Sequence, residues 1–347
     1  MIVNRALLLS RLDVCRPGLS RKEIVEETIR FIFTGENICT FNDEIAVIAP
    51  YPTDFQGSVN GEELYKVLAG IKEDEIDLSI KDDQMLVNSK KTRAGLSTII
   101  GEKERVTSLI EKLQAATIGK GFWRRLPKDF IEGVSLCMFS ASKDMTTGVR
   151  CCVAVNNDKI YSSDSVRISR YILDSPVKEM LIPARNAVEL VKYPIKKYGK
   201  SNGWLHFLTD DNVMFNCRMM VGEYPYTIDR FFDKKPTYGP FTMPIELEEI
   251  MKSAVIMATG DEVVAKMVEM TIEKGKITCK SEKERGWMEK EVDFDYSGKK
   301  LTFYINPVFM SQALIKATTL GLIQGEEFPD KALFEQEKYI HMIALPA

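Results

Sequence analysis

Histidine is nearly missing: the 347 residues include two, His206 and His341. Neither has a partner at metal-ligand spacing. The alternating apolar neighbours in "GWLHFL" and "KYIHMIAL" place both on strands. The seven cysteines (Cys15, Cys39, Cys137, Cys151, Cys152, Cys217, Cys279) are odd in number and form no Cys-x-x-Cys pair. In a chain of this length that usage argues against a disulfide framework and for reduced thiols in the cytoplasm. The P-loop, the Gly-x-Ser-x-Gly elbow and the dinucleotide fingerprint are all absent. Carboxylates are plentiful but scattered over expected turns, where they solvate a surface and do not pair for acid–base work. No catalytic residue, metal or cofactor is therefore expected. No apolar run approaches the ~20 residues needed to cross a bilayer. The start, "MIVNRALLLSRLDVC", lacks a signal-peptide layout and reads as a strand entering a helix.

Strong net charge is also lacking. The balance is −3, so bulk electrostatics name no partner. Local runs say more. "KGFWRRLPK" (120–128) carries four basic residues beside two aromatics, and "KYPIKKYGK" (192–200) carries four lysines. Against them stands the acidic "KEDEIDLSIKDD" (72–83). Any one such run is ordinarily a solvated face. An apolar fraction of 45% and a charged fraction of 28% are those of a globular protein, long enough for two or three domains.

What is present is a repeat. "VNGEELYKVLAG" begins at residue 59, "IPARNAVELVKY" at 182 and "INPVFMSQALIK" at 305, a spacing of 123 both times. Each opens on a β-branched residue followed by Asn or Pro. Apolar side chains follow at offsets five and nine (Leu64 and Leu68, Ala187 and Val191, Met310 and Leu314). Offset eight adds Val67, Leu190 and Ala313. That is one helix stripe written three times. Earlier in each third, "VNRALLLSRL", "LPKDFIEGVSLCM" and "MPIELEEIMKSAVI" predict a first helix. Alternating stretches with Lys-Asp-Asp, Asn-Asn-Asp, Lys-Gly-Lys and Thr-Asp-Asp turns predict hairpins between and after the helices. The fold class is thus α+β: three similar domains (1–122, 123–241 and 242–347), each with two helices packed on antiparallel sheet. Residues 101–120 predict one further helix with Val106, Leu109, Ile110 and Leu113 on one face.

On the second helices, Lys66, Arg185, Lys192 and Lys196 fall opposite the apolar stripe, with Lys316 beside them. Glu62 and Glu63 interrupt that pattern in the first copy. Repeated helices of this kind could present cations to one partner.

The stretches "KIYSSDSVRISRYIL", "EMLIPARNAVELVKY" and "HFLTDDNVMFNCRMMVGEYP" resemble the middle domain of the bacterial-type DNA polymerase sliding clamps. "FQGSVNGEELYKVLAG" resembles that family's first domain, and "KYIHMIALPA" its last strand and tail. The likeness follows order and spacing over almost the whole chain. It implies a DNA clamp fold, with two chains of three domains closing a homodimeric ring whose helices face double-stranded DNA. The cations named above would then meet phosphates without reading sequence. It further implies a partner cleft at Val153, Ser163, Ser165, Val166, Arg167, Ile168, Pro225, Ile340 and Met342. That cleft would take peptides of the replicative DNA polymerase and the clamp loader. Subunit contacts would involve Ala94 and Leu96 in the first domain with Ile256 and Met257 in the last. Where the family has Gly-His in the middle-domain turn this chain has Ser165-Val166, and Ala94 stands where an aromatic is typical. Two other readings stay open on the residues alone: a three-domain DNA-binding module that forms no ring, and an enzyme on repeated α+β domains. No membrane partner is expected.

Overall fold

The repeat begins each time with a strand that hands the chain to a helix, and in the first and last copies an asparagine caps that helix. Strand Gly57–Asn60 leads into the helix Gly61–Gly70, and the Asn60 side chain accepts hydrogen bonds from the amides of Glu62 and Glu63. Strand Leu301–Ile305 leads into Pro307–Leu314, where Asn306 accepts from Val308 and Phe309. In the middle copy Pro183 ends the strand and the helix is Ala184–Leu190. A side-chain oxygen satisfying two otherwise unpaired amides is why Asn recurs at this position. The expected stripe is inside: Leu64, Leu68, Ala187, Leu190, Met310, Ala313 and Leu314 are buried. Val67 is half-buried, and Val191 is too because the middle helix ends before it.

The computed structural model describes residues 1–20, 26–99, 105–260, 262–284 and 286–346. The helices are α1 (Arg5–Cys15), α2 (Gly61–Gly70), α3 (Arg105–Ala116), α4 (Phe130–Cys137), α5 (Ala184–Leu190), α6 (Glu246–Ala254) and α7 (Pro307–Leu314). Helix α3 is the additional helix expected at 101–120; residues 101–104 of that span lie outside the described residues. Val106, Ile110 and Leu113 of α3 pack with Ile32, Phe41, Ile48 and Trp204.

The chain divides into two compact units. One is Met1–Ile131 with Arg185–Val221, the other Glu132–Ala184 with Gly222–Ala347. The first holds a 12-stranded antiparallel sheet running from strand Ile2–Asn4 to strand Arg124–Arg125. Its halves join where Ile45–Pro50 pairs with Met214–Arg218, Val47 facing Phe215. The second unit holds a six-stranded sheet and a four-stranded sheet. In the six-stranded sheet, strand Arg167–Pro183 lies between Cys152–Ser163 and Tyr339–Ala344. The four-stranded sheet ends on Gly286–Asp293.

Hairpin chemistry is as the turns predict. Asp82 and Asp83 both take positive φ (49° and 58°) between strands Glu75–Lys81 and Gln84–Asn88. Asn202 and Gly203 do the same at 45° and 79°. Short polar residues and glycine tolerate this left-handed backbone, which a two-residue hairpin requires.

Both histidines lie on strands and are fully buried. All seven cysteines are free and buried. Burial pushes the Cys39 and Cys279 thiols up to about 12, for Cys279 against a small opposing effect of Lys290. These thiols are inert core residues.

Candidate functional site

Strand pairing brings together some of the residues expected at a partner cleft, all in the second unit. Ile168 faces Met342 and Arg170 faces Ile340 across two antiparallel strands. Ser163 faces Ile168 from the other side. Directly opposed side chains share a sheet face, so Ile168, Arg170, Ile340 and Met342 lie together. Leu333 faces Met342 from the next strand. The result is an apolar cluster of Ile323, Leu333, Ile340 and Met342.

The same two-residue period removes Arg167 from that face. Its neighbours point the opposite way, and its side chain is buried: Arg167 faces Ile343, and Ser169 faces His341. There the guanidinium pairs with Asp164 at 2.8 Å, donates to Gln312 at 2.7 Å and lies 3.8 Å from the Phe309 ring centroid. It also donates to the carbonyl oxygen of Phe139. The expectation of Arg167 beside these apolar residues is therefore corrected: the arginine on the face of Ile168, Ile340 and Met342 is Arg170. Val153 is wholly buried and is a core residue. Ser165 is exposed, takes a φ of 80° and accepts a hydrogen bond from Arg150, while Val166 is half-buried beside it. Asp164 closes this turn by accepting from the amides of Val166 and Arg167.

One element at this face was not legible from local sequence. Exposed Pro225 caps the segment Tyr226–Asp233, and Phe232 of that segment packs on the Ile323, Leu333, Ile340 and Met342 cluster. Asp229 anchors the segment, accepting from Lys159 at 2.6 Å and Arg170 at 2.8 Å. Burial pushes the Asp229 carboxyl up, but these two cations together hold it below its ordinary value. Arg170 also lies 4.5 Å from the Phe232 ring centroid. Pairing and stacking together fasten an aromatic over the apolar cluster.

The expected phosphate-contacting cations separate into three environments. Lys66 pairs with Glu62, Arg185 with Glu44 and Lys192 with Glu189, at 2.5, 2.5 and 2.7 Å. These six side chains line a cleft of about 1050 Å³ in the first unit, with Asp13, Arg16 and Tyr65. Neither Lys192 nor Lys196 is on a helix. Helix α5 stops at Leu190, Pro194 follows, and Lys196 is exposed on strand Ile195–Ser201. Proline cannot continue the helix ladder, which is the reason for the difference. Lys316 is half-buried past the end of α7, 5.1 Å from the Phe139 ring centroid, and donates to the Ser135 carbonyl at 3.3 Å. Half-buried and already engaged with that carbonyl and ring, it is a poor candidate for an open phosphate contact; burial also lowers its pKa.

Of the residues expected at a subunit contact, Ala94 and Leu96 lie on strand Arg93–Ile99. Residues Arg93–Ser97 pair with Gln84–Asn88 on one side. On the other side only Thr98 and Ile99 have described partners. Exposed Lys90, Lys91 and Arg93 precede or begin that open stretch. In the second unit Ile256 is 69% exposed and Met257 half-buried, and Trp287 is 66% exposed on the edge strand Gly286–Asp293. Glu289, Glu291 and Asp293 of that strand are also exposed.

Neither a family profile nor a curated protein matches the sequence. Solved structures do match. A DNA polymerase III beta chain from Streptococcus pneumoniae aligns at a TM-score of 0.81 with 17% identity, over 100% of this chain and 99% of that one. A sliding clamp from Pseudomonas aeruginosa bound to griselimycin, DNA polymerase III subunit beta, aligns at 0.78 with 13% identity and the same coverage. The chain has the sliding-clamp fold. A Helicobacter pylori beta clamp bound to a DNA ligase peptide also aligns at 0.78, with 14% identity over 100% of this chain and 99% of that one. At such identities the likeness is one of backbone. Side-chain roles in this clamp-fold chain follow from its own contacts. Among the described residues, no helix is long and apolar enough to cross a membrane, and no group of His, Cys, Asp and Glu has the arrangement of a metal site.

Proposed function

We propose that the protein is a DNA sliding clamp, a non-enzymatic processivity factor that encircles double-stranded DNA and tethers the replicative DNA polymerase. The observation that carries this reading is the thrice-repeated strand–helix unit in a chain that matches clamp structures end to end. Three domains, 1–122, 123–241 and 242–347, would hold one repeat each. Two copies closing head to tail would form the ring. A closed rotation yields a finite assembly where an open one yields a filament.

The half-open strand Arg93–Ile99 and the edge strand Gly286–Asp293 suit that contact. Lys90, Lys91 and Arg93 complement Glu289, Glu291 and Asp293, while Ala94 and Leu96 of one copy would meet Ile256 and Met257 of the other. Unpaired strand edges of opposite charge are natural partners for sheet extension.

Partners would dock on the face of Ile168, Arg170, Ile340 and Met342 by displacing Phe232, because Ile340 and Met342 are buried beneath it. A ligase peptide on the Helicobacter pylori clamp supports peptide binding as the mode. An apolar cluster with an arginine beside it suits a short segment with large hydrophobic anchors. Polymerase and clamp loader would compete for it.

Duplex DNA would approach Lys66, Arg185 and Lys192. Each is already paired with a carboxylate, so binding must displace Glu62, Glu44 and Glu189 from their cations. Replacing those three glutamates by glutamine should therefore strengthen duplex binding several-fold, equally for unrelated sequences. Replacing the three cations by alanine should weaken it and flatten the plot of log affinity against log salt by about 2–3 units, near 0.9 for each phosphate no longer neutralised. Fluorescence anisotropy with a labelled duplex measures both. If neither triple variant altered affinity or slope, this surface would not face duplex DNA.

A further inference from the structure

The two basic runs of the sequence, 120–128 and 192–200, are far apart along the chain but become hydrogen-bonded neighbours. Strand Arg124–Arg125 forms the last strand of the 12-stranded sheet and pairs with Ile195–Ser201: Arg125 faces Lys197 and Arg124 faces Tyr198. The Leu126 amide donates to the Lys196 carbonyl at 2.9 Å. One short edge therefore gathers Arg124, Arg125, Lys196 and Lys197, with Lys120 and Lys128 in the flanking chain, all six exposed.

An aromatic clasp holds this edge in place. Phe122 lies close over Gly199, where an added Cβ would come within 2.1 Å of its ring. The Phe122 ring also stands edge-on to His206 at 5.4 Å between centroids. Only glycine lets the ring sit so close to the strand. Seated there, Phe122 supports Trp123, with a centroid separation of 5.2 Å and an interplanar angle of 84°. Trp123 itself is only half-buried.

Charge separates this edge from the α2 and α5 surface. Lys66, Arg185 and Lys192 are each paired with a carboxylate. Among the described residues, Lys120, Arg124, Arg125, Lys128, Lys196 and Lys197 form no ion pair. Unpaired cations keep their full attraction for phosphate, whereas a paired cation must first lose its partner. The half-buried indole adds a face on which a base can stack. A duplex keeps its bases stacked inside, so that face favours a single strand.

We propose that this sheet edge binds single-stranded DNA, with phosphates on Arg124, Arg125, Lys196 and Lys197 and a base on Trp123. It is a second nucleic-acid site, built from residues that the duplex reading does not use, apart from Lys196, which the fold moves from a helix to this edge.

The test is anisotropy of the full-length protein with a fluorescein-labelled oligothymidine, over a salt series. Replacing Arg124, Arg125, Lys196 and Lys197 by alanine should weaken binding by at least about ten-fold. It should also reduce the salt slope by about 3 units, near 0.7 for each single-strand phosphate contact. Oligothymidine should quench tryptophan emission in the native protein, and Trp123→Phe should abolish that quenching. The triple alanine variant of Lys66, Arg185 and Lys192 should bind oligothymidine as the native protein does. Undiminished binding by the quadruple variant would overturn the proposal. So would equal competition by duplex DNA, or by polyglutamate. The first would make the edge a general phosphate contact, and the second a surface for acidic protein.

Discussion

Replacing Arg167 by alanine is expected to cost about 3 kcal/mol or more of folding stability, far beyond an ordinary surface change. The guanidinium is nearly inaccessible, its side chain 5% exposed beside an Asp164 side chain at 12%. Removing it leaves the half-buried Asp164 carboxylate with its two backbone amides alone, and the Gln312 amide oxygen and the Phe139 carbonyl without this donor. It also empties the space against the Phe309 ring. Arg170→Ala is the informative contrast. That side chain is 18% exposed and pairs with a partly solvated Asp229. Its loss should change stability by less than about 1 kcal/mol while loosening Phe232 from the apolar cluster. Urea unfolding of the two variants separates the roles. Equal stability of Arg167→Ala and the native protein would mean that Arg167 does not hold this turn.

Acid should destabilise the protein well before its carboxylates titrate. Burial lowers the pKa of His341 well below the ordinary value of 6.5, and the nearby charges of Arg167 and Lys316 lower it further. Burial lowers His206 as well, against a smaller opposing effect of its hydrogen bond to Asn216. His206 fits the neutral form: with Nδ1 donating to Asn216 Oδ1 at 2.6 Å, Nε2 accepts from the Ser201 hydroxyl at 2.7 Å. His341 Nδ1 lies 2.8 Å from Ser169 Oγ.

Because both folded-state pKa values lie below the unfolded value, the unfolded chain takes up protons first as pH falls. The stabilisation is complete above about pH 6.5 and declines below it, by up to about 1.4 kcal/mol per pH unit for each histidine. The decline continues until pH passes the folded pKa. Chemical unfolding at steps between about pH 7.5 and 5 should show it, and His341→Gln should remove part of the slope. A flat profile over that window would show that the histidines protonate as readily in the folded protein as in the unfolded one.

These two effects bear on how much was legible in sequence. The helices of the repeat were readable because their determinants are local. Asn60 and Asn306 sit beside the amides they cap, and Leu64 and Leu68 recur at a helical period. Hairpin turns were readable for the same reason. Residues failed where a single position or a distant partner decides. Pro194 moves Lys196 from a helix onto a strand. A difference in strand parity sends Arg167 into the core and leaves Arg170 on the face of Ile340 and Met342. Phe232 meets Ile323, Leu333, Ile340 and Met342 only through the tertiary fold, and no local pattern marks it. The pairing of Arg125 with Lys197 likewise spans most of a sequence third. A bare Gly199 in an otherwise bulky strand was the one local hint that an aromatic approaches there.

The central claim is that two copies close around duplex DNA, and direct imaging tests it. Negative-stain images of the purified protein at micromolar concentration, with the mass checked by sedimentation, should show dimeric closed rings. The central opening should be wide enough for a double helix. The same images of a variant carrying Ile256→Asp and Met257→Asp should show monomeric arcs, because charge placed in an apolar contact cannot be buried cheaply. Native particles that are monomeric at that concentration, or that assemble without a central opening, would contradict the account.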